Sequence, residues 1–180
     1  MFATTKSAQL IGLAADVIDV EVDIGKGLHS FSIVGLADKA VEEAKDRINA
    51  AIKNSGFKAP IKGSKKIIVS LAPADIKKTG THFDLAIALG FLLARGDINF
   101  DPTQRLFLGE LALDGSIRAI RGTLFLARKA REAGFTEIYV PKANVREAAL
   151  IAGLAVYGAE TLRELVRHLS LKTGEKDQSV

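Results

Sequence analysis

The segment Phe83-Asp84-Leu85-Ala86-Ile87-Ala88-Leu89-Gly90-Phe91-Leu92-Leu93-Ala94 is apolar on nearly every side. A helix built from it has no wet face, so other elements must wrap it rather than merely support it. A sheet beneath and further helices around it are the economical solution, which sets the class as α/β (α+β), a mixed sheet with packed helices. The chain has the material for one such body, since 180 residues with 48% hydrophobic content is one domain with its own core. No run approaches the roughly 20 apolar residues that span a bilayer. The start Met1-Phe2-Ala3-Thr4-Thr5-Lys6 lacks the charged segment and apolar core of an export signal. The absence of cysteine excludes a disulfide scaffold, a thiolate zinc site and a cysteine nucleophile, and makes the cytoplasm the expected location.

Alternation over Val17–Ile24 puts Ile18, Val20, Val22 and Ile24 on one face of a strand and Asp19, Glu21 and Asp23 on the other. Gly25-Lys26-Gly27 then reads as a tight reversal into a second strand, His29–Val34, and Ala8–Ile11 as an edge strand. Asp38 is a candidate N-cap for a helix over 38–55 that buries Val41, Ala44, Ile48, Ala51 and Ile52 and ends at Gly56. Ile67–Ala72 is a buried strand stopped by Pro73. Leu106–Leu113 and Ser116–Ile120 form a hairpin about Asp114-Gly115. A helix after Gly122, a strand at Glu137–Pro141, a helix at Val145–Ala152, a strand at Leu154–Tyr157 and a helix at Thr161–Leu169 complete an alternating second half. The polar residues 171–180 read as a linker or disordered tail.

Gly25-Lys26-Gly27 lacks the third glycine and the following helix of a phosphate loop, and no G-x-x-x-x-G-K-S/T occurs, so no P-loop ATPase is expected in this chain. The carboxylates Asp19, Glu21 and Asp23 fit a solvated sheet face better than a cation site, and His29, His82 and His168 lack metal-ligand spacing; no metal is expected. Ser70, Ser116, Thr79 and Thr81 are possible hydroxyl nucleophiles. Only the polar, flexible stretch Lys77-Lys78-Thr79-Gly80-Thr81-His82 combines hydroxyls, a base candidate and a helix start. The formal charge is +4, from 25 Lys and Arg against 21 Asp and Glu. Lys58, Lys62, Lys65, Lys66, Lys77, Lys78, Arg118 and Arg121 gather in loops bordering the apolar helix, where contact with a phosphate backbone is the functional alternative to a solvated surface.

Val20-Glu21-Val22-Asp23-Ile24 with Gly27-Leu28, then Phe31 to Glu43, resembles the opening of the magnesium-chelatase-related AAA+ ATPases of the ComM/YifB type. Ala50–Phe57, Leu71–Lys78, Phe83–Gly90 and Leu108–Gly115 continue the pattern in order, with Ala37 and Ala86 where that family often has proline. The resemblance implies an N-terminal domain over 1–170 with the fold of the Lon protease domain and of ribosomal protein S5 domain 2, followed by an AAA+ module that is absent here and would hold ATP and Mg. It implies a hexameric DNA branch-migration motor of recombination and natural transformation. In that motor this domain would touch DNA, through Lys62, Lys65, Lys66, Lys77, Lys78, Arg118 and Arg121, or neighbouring subunits. Carried over from Lon-type proteases, the serine position falls at His82, beside Thr81, and the lysine position at Leu124. Neither member of the dyad is present, so a non-catalytic domain is expected, with a residual Ser/Thr peptidase or a purely structural oligomerisation domain as alternatives.

Overall fold

The computed structural model describes residues 1–61 and 64–176. Strands β1 (Phe2–Ile11) and β2 (Ala14–Lys26) form an antiparallel hairpin about Gly12-Leu13, where Gly12 takes φ +62°. The alternation in β2 holds: Ile18, Val20, Val22 and Ile24 are buried, while Asp19 faces out beside Lys6 Nζ at 2.7 Å. On its other side β2 pairs antiparallel with β4 (Lys65–Ala72), and β3 (Ser30–Val34) pairs parallel with β4. The order β1-β2-β4-β3 corrects the expected hairpin between residues 17–24 and 29–34. Ile67, Val69 and Leu71 make β4 the more apolar strand, and it takes the central slot that burial of such a run requires.

The crossover from β3 to β4 carries α1 (Lys39–Glu42) and α2 (Ala44–Asn54). Asp38 is the N-cap, its Oδ1 accepting from the Val41 amide at 2.8 Å, and the single expected helix is interrupted at Glu43. Helix α3 (Asp84–Arg95) lies buried on the inner face of the sheet. Gly90 permits this approach: a Cβ there would stand 2.9 Å from Val22 Cγ2, and Thr5 Oγ1 reaches the Ala86 carbonyl at 2.9 Å.

The second half holds a parallel sheet, β5 (Arg105–Phe107), β8 (Glu137–Pro141) and β9 (Ala155–Ala159), and a ribbon of β6 (Glu110–Leu111) and β7 (Ile117–Arg118) about Asp114-Gly115. The strand expected over 106–113 is therefore two. The chain leaves the parallel sheet at Leu108, and Gly109 instead exchanges bonds with the start of α3, its amide to the His82 carbonyl and its carbonyl to the Leu85 amide. Helix α4 (Thr123–Glu132) follows Gly122 as expected. The helix expected to Ala152 is only one turn, α5 (Val145–Ala148), and the last helix, α6 (Leu162–Lys176), runs beyond Leu169 into the expected tail. Residues 177–180 of that tail lie outside the described residues.

The main core joins the first sheet to α2, α3 and α6; a second cluster joins α4 to Leu106, Leu108, Ile138 and Val140. Phe107, Tyr139 and Tyr157 stack at 5.0 Å centroid spacings. Among the described residues no helix is long and apolar enough to cross a membrane.

Candidate functional site

The loop between β4 and α3 forms one wall of a cleft of about 380 Å³ lined by Thr79, Gly80, Thr81, His82, Glu110 and Arg121, with Leu10 and Leu126 beneath. The loop is held on both sides, which corrects the expectation of flexibility. Lys78 exchanges backbone bonds with Leu36 and Asp38 at 3.0 and 2.9 Å. Gln9 clamps the same strip, donating to the Lys77 carbonyl at 2.8 Å and accepting from the Thr79 amide at 3.2 Å. Gly80 turns the chain at φ +92°.

Thr81 Oγ1 donates to Glu110 Oε2, and Glu110 Oε1 lies 3.2 Å from Arg118 Nη1. The hydroxyl thus faces a carboxylate already engaged by a guanidinium, a poor acceptor for an alcohol proton. His82 packs its ring 4.3 Å from that of Phe83 and bonds to the Ala8 backbone. Its Nε2 is buried, with no hydrogen-bond partner among the described residues. Burial pushes its pKa down to about 4, so the ring is neutral near pH 7. Leu124, in the first turn of α4, brings no amine; its backbone N–H is capped by Glu147 Oε1 at 2.9 Å.

The basic residues do not converge. Lys65 and Lys66 open β4, whereas Lys77 follows its far end; eight residues at about 3.3 Å each separate them by more than roughly 20 Å. Exposed Arg121 lies at the cleft, and Arg118 is exposed beside Glu110. Lys58 is exposed near α3, its carbonyl accepting from Arg95 at 2.6 Å. Lys62 lies outside the described residues. Lys78 is a correction: its side chain is buried, its ammonium donates to the Pro73 carbonyl, and desolvation lowers its pKa. It braces the loop from inside and cannot reach a phosphate from there.

Two residues behind the cleft escaped the sequence reading as a pair. Arg47 on α2 grips Asp84 of α3 with two of its nitrogens, Nε to Oδ2 at 2.7 Å and Nη2 to Oδ1 at 3.0 Å, and the Leu111 amide adds a bond at 3.1 Å. Burial pushes the Asp84 carboxyl up to about 6 against these stabilising contacts. A lone carboxylate opening an apolar helix is the legible signal, because it requires a buried partner. Glu110 was likewise missed; it becomes part of the site only because the strand is interrupted between β5 and β6.

The residues 20–144 match the family described as subunit ChlI of Mg-chelatase. The chain is 37% identical over 172 residues to competence protein ComM of Haemophilus influenzae, covering 93% of this chain and 32% of that protein. It is 39% identical over 163 residues to YifB of Escherichia coli, covering 90% and 31%. A shorter match, 34% over 92 residues, joins 51% of the chain to 22% of the DNA repair protein RadA of Streptococcus pneumoniae. The chain spans about a third of the length of ComM and YifB, their N-terminal third. With more than half of its residues inside the family's own pattern and the fold continuous across them, the chain belongs to the family of the ChlI subunit of Mg-chelatase.

Proposed function

We propose that this chain is a non-catalytic module of a ComM/YifB-type, Mg-chelatase-related AAA+ ATPase, with a Lon protease-like, S5 domain 2-like fold, and that it serves DNA binding, hexamer assembly or both. ATP and Mg belong on the motor module, and the whole acts on DNA in the cytoplasm. The observation that carries this reading is the state of the cleft. Thr81 donates to an arginine-paired carboxylate, His82 keeps its Nε2 sealed, and the residue that α4 contributes to the cleft, Leu126, offers no proton acceptor. A hydroxyl so placed is not activated for attack. Among the described residues, exposed Lys77, Arg118 and Arg121 near the cleft, with Lys65 and Lys66 at the other end of β4, support phosphate contact. The names of ComM and RadA, a competence and a DNA repair protein, favour a DNA context.

Fluorescence anisotropy with branched DNA over a salt series tests the DNA role. Binding should weaken as salt rises, and Arg121→Ala with Lys77→Ala should reduce the slope by about one unit per lost phosphate contact. No binding at low salt defeats it. The second reading, a residual peptidase, rests on the Thr81–Glu110 contact. A fluorogenic peptide assay should give no turnover that Thr81→Ala abolishes, and turnover lost in that variant would replace the first reading.

A further inference from the structure

The hairpin of β1 and β2 outruns the sheet that carries it. The β2–β4 ladder ends at Asp19 and Ala72, whereas β1 and β2 stay paired out to Ile11 and Ala14. Residues 14–18 therefore carry a two-stranded arm about 16 Å past the last β2–β4 pair, at about 3.3 Å per residue. The arm is stiff at its root. Ala8 and Ala15 are buried in one cluster with Leu126, Ala127 and Ala130 of α4, and Gln9 bonds to Lys77 and Thr79. Its tip is bare: Ile11 is 45% exposed and Leu13 79%, and a Cβ on Gly12 would meet nothing within 4 Å. The turn asks only for the positive φ of Gly12, and Leu13 stands where turns ordinarily carry Gly, Asn, Asp or Ser. Burial does not explain a leucine there.

Cations flank this point on two sides. Exposed Lys77 follows β4, and its carbonyl accepts from Gln9, two residues before Ile11. Exposed Arg121 precedes Gly122, which packs so close on Leu10 that a Cβ there would stand 2.4 Å from Leu10 Cδ1. Asp16, opposite Gln9 in the hairpin, lies 3.9 Å from Lys129 Nζ, and Glu110 is engaged by Arg118, so these carboxylates are matched by cations of their own. An apolar point between cations suits a partner that is apolar within and anionic without, which is a base stack between its phosphates. We propose that Ile11 and Leu13 form a wedge that enters DNA where bases are already unpaired, as at a fork or branch point, while Lys77 and Arg121 hold phosphates on either side. Entry costs unstacking, and that cost is least where pairing has already been lost. This role rests on the DNA reading above and adds to it the feature of the DNA that is recognised.

Anisotropy with a forked DNA and with a fully paired duplex of the same length, at the same salt, gives a ratio of affinities. The native chain should favour the fork by about tenfold, the worth of burying one large apolar side chain. Ile11→Thr with Leu13→Ser should bring the ratio close to one. The chain has no tryptophan, so Leu13→Trp places a single fluorophore at the tip. Stacking on the fork should quench it, and the duplex should not. Circular dichroism confirms the fold of each variant. If the native chain binds neither DNA, this role falls together with the DNA reading. If it binds both alike, or the ratio survives the double substitution, or the tryptophan stays bright on the fork, the wedge alone is overturned and the tip is left to a protein contact.

Discussion

Replacing His82 with Asn should change how the protein responds to acid. In the folded state the ring titrates at about 4, against 6.5 when exposed. Unfolded chains therefore take up a proton as pH falls below 6.5 while folded ones do not, so His82 withdraws stability as pH falls through this window. At about 1.36 kcal/mol per pH unit, the 2.5-unit gap sets a ceiling of about 3 kcal/mol. Asp84 acts in the opposite sense. Its folded carboxyl titrates at about 6 against 3.8 unfolded, so it adds up to about 3 kcal/mol on acidification, complete below 3.8 and lost as pH rises through 6. The two largely cancel between pH 6.5 and 4 in the native sequence. His82→Asn leaves the Asp84 contribution alone. Urea unfolding followed by far-ultraviolet circular dichroism at pH 7, 6, 5 and 4 should show the variant gaining about 3 kcal/mol relative to the native protein across that range. A native-minus-variant difference constant with pH would refute the sealed, neutral histidine.

Removing Asp84 as Ala should cost about 3 to 5 kcal/mol in urea unfolding, because Arg47 then keeps a partly buried charge without its carboxylate; loss within about 1 kcal/mol would show that water takes over the pairing. Gly35→Ala should destabilise by about 3 kcal/mol or more, since its Cβ would meet the Leu71 carbonyl oxygen at 2.1 Å in a left-handed backbone; thermal unfolding measures it. Glu147→Ala should cost about 1 kcal/mol by uncapping the Leu124 amide at the start of α4, with Glu147→Gln recovering part of it.

Strand and helix periodicity made β2, α2, α3 and β8 legible, because each has a face or a whole surface that must be buried. Pairing was less legible. Gly25-Lys26-Gly27 looks like a local reversal, and only the competition of β4 for the central position shows that β2 and β3 are not partners. The cleft was half visible: Thr81 and His82 follow from the family pattern, whereas α4 contributes Leu126 to the lining and not Leu124, and Glu110 enters through a strand interruption at Leu108-Gly109 that no propensity signals. Lys78 was misread because a lysine in a polar stretch suggests a wet ammonium; its burial follows from the backbone bridge with Leu36 and Asp38, a contact of long sequence separation.

The insertion of β4 between β2 and β3 also imposes a timetable on biosynthesis. As the chain leaves the ribosome, β1 and β2 can zip together at once, since only Gly12-Leu13 separates them. Strand β3 has no ladder to join until residues 65–72 have emerged. Through that interval Phe31 and Ile33 stay uncovered on a nascent chain, making residues 28–36 the stretch that a co-translational chaperone has most reason to shield.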